Sequence, residues 1–187
     1  MLARTFEFTA GCLALNFVDT VAGRTASSHD LLESPEALSE WAQAAGLVAA
    51  EPIVFSGTDL RTARQLREAI YRGALAIAMG RNPNATDVDV INAAAALPAL
   101  RPQLVDGAVN WIARKTARAA LSVIAADAVL CLSNDQADRL RQCPDCGMLF
   151  QDNSRRQNRK WCSSASGCGN RAKVRRHRAA QRGDDAS

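Results

Sequence analysis

Apolar residues recur at helical spacing along most of the first 138 residues. Leu38, Trp41, Ala42 and Ala45 fall three and four positions apart, as on one buried face of a helix. Ser34-Pro35-Glu36 marks the start of that helix. Ser caps, Pro suits the first helical position and Glu favours the positive end, while Gly46 marks the stop. Leu60, Ala63, Leu66, Ile70, Ala74 and Ile77 draw a second stripe, from Thr58-Asp59 to Gly80. Thr86 reads as the cap of a short helix through Asp87 to Ala96, closed by Leu97-Pro98. An Ala-rich stretch predicts a long helix over about 115–132, and Asn134 reads as the cap of a last short helix, Asp135 to Gln142.

One segment breaks the helical rhythm. Gln103-Leu104-Val105 and Ala108-Val109-Asn110-Trp111-Ile112 flank Asp106-Gly107, a pair that supplies the two positive φ angles of a tight turn, so a small β-hairpin is expected. Near the start, Gly11 to Thr20 carries both periods. Leu13 and Phe17 at i, i+4 favour helix there. The fold class that follows is mainly α: a helical N-terminal domain with a small hairpin over 1–138, a small cysteine module with a basic C-terminal helix over 139–182, and a disordered tail over 183–187.

Composition sharpens this division. The chain has 187 residues, 48% of them hydrophobic and 22% charged, which excludes global disorder. Every apolar run is broken well before the length of a membrane span. The opening residues, Met1 to Glu7, lack a basic region followed by an apolar run, so a cytoplasmic location is expected. Residues 1–138 hold 11 Lys+Arg and 15 Asp+Glu, whereas 139–187 hold 12 and 4. A mildly acidic body thus carries a strongly basic module, and a basic module implies an anionic partner.

The cysteines are equally uneven. Cys12 and Cys131 stand alone in apolar surroundings and read as small hydrophobes, while Cys143, Cys146, Cys162 and Cys168 crowd into 26 residues. Two cysteines separated by two residues bite one metal from a single turn, and Gly147 after them permits the positive φ that aims backbone N–H groups at sulfur. Four soft thiolates suit one tetrahedral Zn²⁺. Four thiolates also close the coordination shell, so this zinc is expected to be structural. It would hold a module too short to form a core alone.

Cations surround the cysteines. Arg155, Arg156, Arg159 and Lys160 fill the loop between the two pairs. Arg171, Arg175, Arg178 and Arg182 recur by four, three and four, one face of a helix, with Lys173 and Arg176 placed at its sides. No acid lies between Ala172 and Gly183. These residues are candidates for phosphate contact, and Asn170, Arg171, Arg175 and Arg178 for base contact, because Asn and Arg make bidentate pairs with base edges. Duplex DNA is the expected partner. RNA is the alternative, disfavoured because Trp161 and Phe150 adjoin the cysteines and read as packed. A third reading makes zinc the shaper of a protein-interaction surface.

The body holds no phosphate-binding Gly-rich loop, no Gly-x-Ser-x-Gly elbow and no His-Glu-x-x-His, so no enzyme is predicted. His29, beside Asp30, reads as a surface or capping residue, and Trp41 and Trp111 read as core. Asn16 and Asp19 interrupt an apolar segment and are candidates for the polar lining of a small-ligand pocket. The body is therefore expected to sense a ligand or to form a homodimer.

Residues 143–182 resemble the CGNR zinc finger. The likeness rests on the Cys143-Pro144-Asp145-Cys146-Gly147 knuckle, Phe150-x-Asp152-x-Ser154-Arg155, Lys160-Trp161-Cys162-Ser163 and Cys168-Gly169-Asn170-Arg171-Ala172-Lys173. The body resembles the ABATE domain that precedes this finger, through Leu13-Ala14-Leu15-Asn16-Phe17-Val18-Asp19-Thr20 and through Leu31 to Leu47 with its Ser34-Pro35-Glu36 start and Trp41. The resemblance implies a bacterial stress-induced transcription regulator whose finger binds DNA, with the four cysteines as zinc ligands and Asn170 and Arg171 as signature residues. Two departures stand out. Five residues, Ser163 to Gly167, separate the last two cysteines where the family has four, and Asn16 and Asp19 stand where the family has Asp and then Asn.

Overall fold

The computed structural model describes residues 5–25, 27–47, 52–113, 116–163, 165 and 167–184, without the side chains of 182–184. Thirteen elements follow in chain order among the described residues: α1 Leu13–Val18, β1 Val21–Ala22, β2 His29–Asp30, α2 Pro35–Ala44, α3 Gly57–Ala78, α4 Ala85–Ala95, β3 Arg101–Val105, β4 Ala108–Ile112, α5 Thr116–Cys131, α6 Asn134–Ala137, β5 Leu140–Gln142, β6 Leu149–Gln151 and α7 Cys168–Asp184. The sheets are three antiparallel pairs, β1–β2, β3–β4 and β5–β6. The chain is mainly α, with a small cysteine module ahead of its last helix.

Local chemistry sets most helix ends. Ser34 accepts from the Ala37 N–H with Pro35 at the first helical position. Ser56 and Asp59 cap α3 reciprocally, each side chain bonding the other's backbone N–H. Gly46 and Gly80, at φ of +77° and +69°, follow α2 and α3. The cap of α4 is Asn84, which accepts from the Asp87 N–H at 2.8 Å, and not Thr86. Asn outranks Thr as a cap, and here its amide also reaches the Asp87 carboxylate. The short α1 has no cap of its own. Asp127 of α5 accepts from the Ala14 N–H at 2.7 Å instead.

Packing then assembles the body around α1 and α3. Phe17 of α1 lies 4.9 Å from the ring of Trp41, and both are fully buried. Leu66 and Ile70 of α3 meet Ile124 and Ala128 of α5 in the same cluster. Arg67 is buried in α3 and pairs with both oxygens of Asp30 at 2.7 and 2.9 Å, clamping β2 onto the helix. It also donates to Thr20 Oγ1 at 3.1 Å and to Glu68 Oε1 at 3.0 Å.

Three sequence expectations change. The hairpin forms at Asp106-Gly107, with φ of 49° and 79°, but Trp111 on it is 37% exposed and not core. The pattern of β3–β4 points Leu104 and Val109 to solvent too, so the hairpin stands off the helical core. The helix expected over Asp135 to Gln142 stops at Ala137, and Leu140–Gln142 is a strand. Pairing with Leu149–Gln151 and burial of Leu140 against Ala74 outweigh a local helical signal there. Cys12 and Cys131 are not independent hydrophobes, since the Cys12 thiol donates to Cys131 Sγ at 3.0 Å between α1 and the end of α5. The Cys131 hydrogen bond and burial push Cys12 far up, so it stays a thiol.

Candidate metal centre and basic surface

The cysteine module grows out of the β5–β6 hairpin. Cys143 closes β5, and its N–H donates to Met148 O at 2.8 Å, so the chain doubles back within five residues. Gly147 takes φ +73° in that turn, and its N–H donates to Cys143 O at 2.9 Å. This carries Cys143 and Cys146 to one side of the knuckle. Cys162 arrives from the following loop, and Cys168 opens α7.

The four sulfurs lie within 4.8 Å of one another, with Cys146 and Cys162 3.6 Å apart. Zn–S bonds of about 2.3 Å in a tetrahedron need sulfurs spaced in this range. Burial pushes the Cys143 thiol up, but the backbone N–H groups of Cys162, Cys146 and Asp145 outweigh it and bring it down to about 7. Cys146 moves the other way, raised by burial and by the neighbouring sulfurs. A dication relieves that crowding, so the donor set and its surroundings fit zinc. The site holds one structural zinc. Its chemistry is cohesion, because Cys143, Cys146, Cys162 and Cys168 leave no open position for water.

Two acids organise the centre. Asp145, inside the knuckle, receives Arg171 at 2.5 Å on Oδ2 and Arg175 at 2.6 Å on Oδ1. Arg171 also donates to Cys168 Sγ at 3.2 Å. These contacts brace α7 against the knuckle. Asp152 is fully buried and accepts from the Ser154 N–H at 2.9 Å and the Arg159 N–H at 2.8 Å, which shapes the 153–159 loop. Burial raises the Asp152 carboxyl, yet these donors hold it below the ordinary carboxylate value. Arg159 is half-buried, its guanidinium 4.3 Å above the Phe150 ring. Gly169 packs on Trp161, where an added Cβ would meet the indole at 3.3 Å.

The sequence treats Asp145 and Asp152 only as two negative charges within a basic segment. Their spacing carries a signal all the same. One acid lies inside the two-cysteine turn, within reach of the α7 arginines, and one follows the second strand, where backbone donors converge.

The basic residues divide accordingly. Arg171 and Arg175 are engaged with Asp145, which corrects the expectation that no acid lies near them. Arg159 lies against Phe150. Arg155, Arg156, Lys160, Lys173, Arg176 and Arg178 are exposed, and none of them pairs with an acid among the described residues. Asn170 is exposed near the start of α7. Lys173 and Arg176 lie across the helix from Arg171 and not beside it, as two and five steps at 3.6 residues per turn require. The Arg182 side chain and residues 185–187 of the expected tail lie outside the described residues.

The finger is seated on the body. Gln151 donates its N–H to Ala10 O at 2.7 Å, and Asn153 Nδ2 reaches Gly11 O at 2.9 Å. Thr25 Oγ1 donates to Cys146 O at 3.1 Å. Leu140 and Leu149 bury against Leu15 and Ala74. The two candidate pocket residues part company. Asn16 accepts from the Ala10 N–H at 3.0 Å and holds the segment under β6, whereas Asp19 lines a cavity between body and knuckle.

Residues 11–135 match the ABATE family, described as "Putative stress-induced transcription regulator". Residues 139–181 match the CGNR zinc finger. No curated protein matches the chain. No helix among the described residues is long and apolar enough to cross a membrane.

Proposed function

The chain belongs to the ABATE family and carries a CGNR zinc finger, and from that premise we propose that it is a DNA-binding transcription regulator acting in a bacterial stress response in the cytoplasm. The observation that carries this reading is the unpaired set of cations on a zinc-braced scaffold. Arg155, Arg156 and Lys160 extend from a loop fixed by Asp152, and Lys173, Arg176 and Arg178 extend from a helix fixed by Asp145. Cations held on a rigid frame gain phosphate contacts without ordering a chain first. Asn170 and Arg178, on or beside the same helix, are the candidates for base contact. Duplex DNA is favoured over single-stranded RNA because Phe150 is buried and Trp161 is half-buried against Gly169, which withdraws both rings from base stacking.

Binding of the zinc-loaded chain to duplex DNA, followed by fluorescence anisotropy over a salt series, tests this. Removing one cation that neutralises a phosphate should flatten the slope of log affinity against log salt by about 0.9. Arg155→Ala with Arg156→Ala should flatten it by about 1.8 with zinc content unchanged. Arg175→Ala should change it less, because Asp145 already neutralises that charge. An unaltered slope in the double variant, or no salt-dependent binding by the parent, overturns the proposal.

A further inference from the structure

Between the body and the knuckle lies a cavity of about 330 Å³. The body supplies Val18, Asp19, Arg24 and Tyr71 to its wall, and the finger supplies the stretch 146–149, which includes a zinc ligand. The volume falls at the lower end of the range for small-molecule sites, about 300–1,000 Å³.

The charges around it do not balance. Arg24 is largely committed: its two Nη atoms donate to Glu68 at 2.8 and 2.9 Å and its guanidinium lies 4.0 Å over Tyr71, while its buried Nε alone has no acceptor among the described residues. Asp19 differs: its Oδ2 is sealed from solvent and accepts no hydrogen bond from the described residues. Glu7 brings a second carboxylate to the same wall. Its Oε1 accepts one backbone N–H, from Ala165 at 3.0 Å. Two carboxylates therefore line a largely apolar chamber whose wall cation among the described residues, Arg24, is paired with Glu68. A buried carboxylate oxygen without a donor is unfavourable by itself, and a ligand that supplies the donor relieves that cost.

We propose that this cavity binds a small organic cation, a primary amine with a short apolar body, its ammonium received by Asp19 and Glu7 and its hydrocarbon by Val18 and Leu149. An anion is opposed by both acids. A bare metal ion would find two carboxylates and apolar walls in place of a full oxygen shell. Burial first, and then Glu7, push the Asp19 carboxyl well above its ordinary range despite Arg24, as for a site awaiting positive charge. Because the stretch 146–149 forms part of the wall, an occupied cavity holds the knuckle closed. This inference stands apart from DNA binding.

Thermal melts of the full-length zinc-loaded chain with butylamine or benzylamine, against benzyl alcohol and benzoate, test the proposal. The amines should raise Tm saturably, and the alcohol and the acid should not. Asp19→Asn should abolish the amine effect while melting no lower than the parent, since it removes an unpartnered buried charge. Ala22→Trp, an exposed position on the cavity wall, should abolish it by filling the space, and it serves as the second variant if Asp19→Asn folds poorly. Transfer of zinc to a chromophoric chelator should slow several-fold with benzylamine bound. No rise in Tm with either amine, an equal rise in both variants, a preference for benzoate, or a raised Tm with unchanged zinc transfer would each overturn it.

Discussion

The body and the finger reach rigidity by opposite means. In the body, a continuous cluster from Phe17 and Trp41 to Ile124 and Ala128 excludes water, and charged pairs such as Arg67–Asp30 sit at its margin. In the finger, Phe150 clusters with the buried Cys143, Cys162 and Cys168, Cys146 packs against them, and acids flank that cluster. A metal replaces the hydrophobic core there. Asp145 and Asp152 then act as internal acceptors, which leaves cations over on the outside. The excess of positive charge is thus partly a by-product of how the module is held together.

The largest effect should come from removing that metal. Cys146→Ser should lose most of the zinc, and with it metal-coupled folding free energy on the order of 10 kcal/mol. Helical signal from the body should survive in circular dichroism. Trp41→Ala should do the reverse: it should cost the body about 3–5 kcal/mol in a denaturant melt and leave zinc content at one per chain. If either variant dissolves both regions together, the contrast between them fails.

A smaller change should act on the seam between the regions. Gly147 sits at φ +73°, and a Cβ there would meet Thr25 Cγ2 at 2.1 Å. Gly147→Ala should cost about 1–3 kcal/mol through backbone strain and this clash. Adding Thr25→Ser removes the methyl and should restore part of the loss in a thermal melt. No restoration would show that the seam carries no load.

The smallest effect should be that of acid. Asp30 and Glu68 are pushed up by burial but pulled further down by Arg67 and Arg24, so their folded values lie below 3.8 and 4.5. Their contribution is present above those ordinary values and is lost as pH falls through the lower folded ones. The zinc thiolates take up protons at higher pH. In an acid titration zinc release should therefore precede loss of body helix, and the opposite order would reverse the comparison.

What the sequence made legible follows the range of the forces involved. Ser34-Pro35, Gly46 and Asp106-Gly107 act within a few residues, and the elements they mark form where expected. The four cysteines were legible because spacing alone defines a knuckle. Leu140–Gln142 was misread because its strand exists only through pairing with β6 across the knuckle and packing on α3, which is distant in sequence. Trp111 was misread because its bulk implies burial while the hairpin's position denies it. The basic face was legible as charge, but not the two arginines bound to Asp145, since that pairing spans 26 and 30 positions.

The bond between Gln151 and Ala10, and the neighbouring one from Asn153 to Gly11, 142 positions apart, set a schedule for synthesis. The segment under β6 leaves the ribosome before its partner, which follows 142 positions later. At about 5–20 residues per second the interval is roughly 7 to 30 seconds. Throughout it the carbonyl edge at Ala10 and Gly11 and the apolar face of Leu15, joined later by that of Ala74, stand uncovered by the finger. Zinc reaching the nascent cysteines ends that wait, so metal supply during translation governs how long a growing chain exposes an adhesive surface.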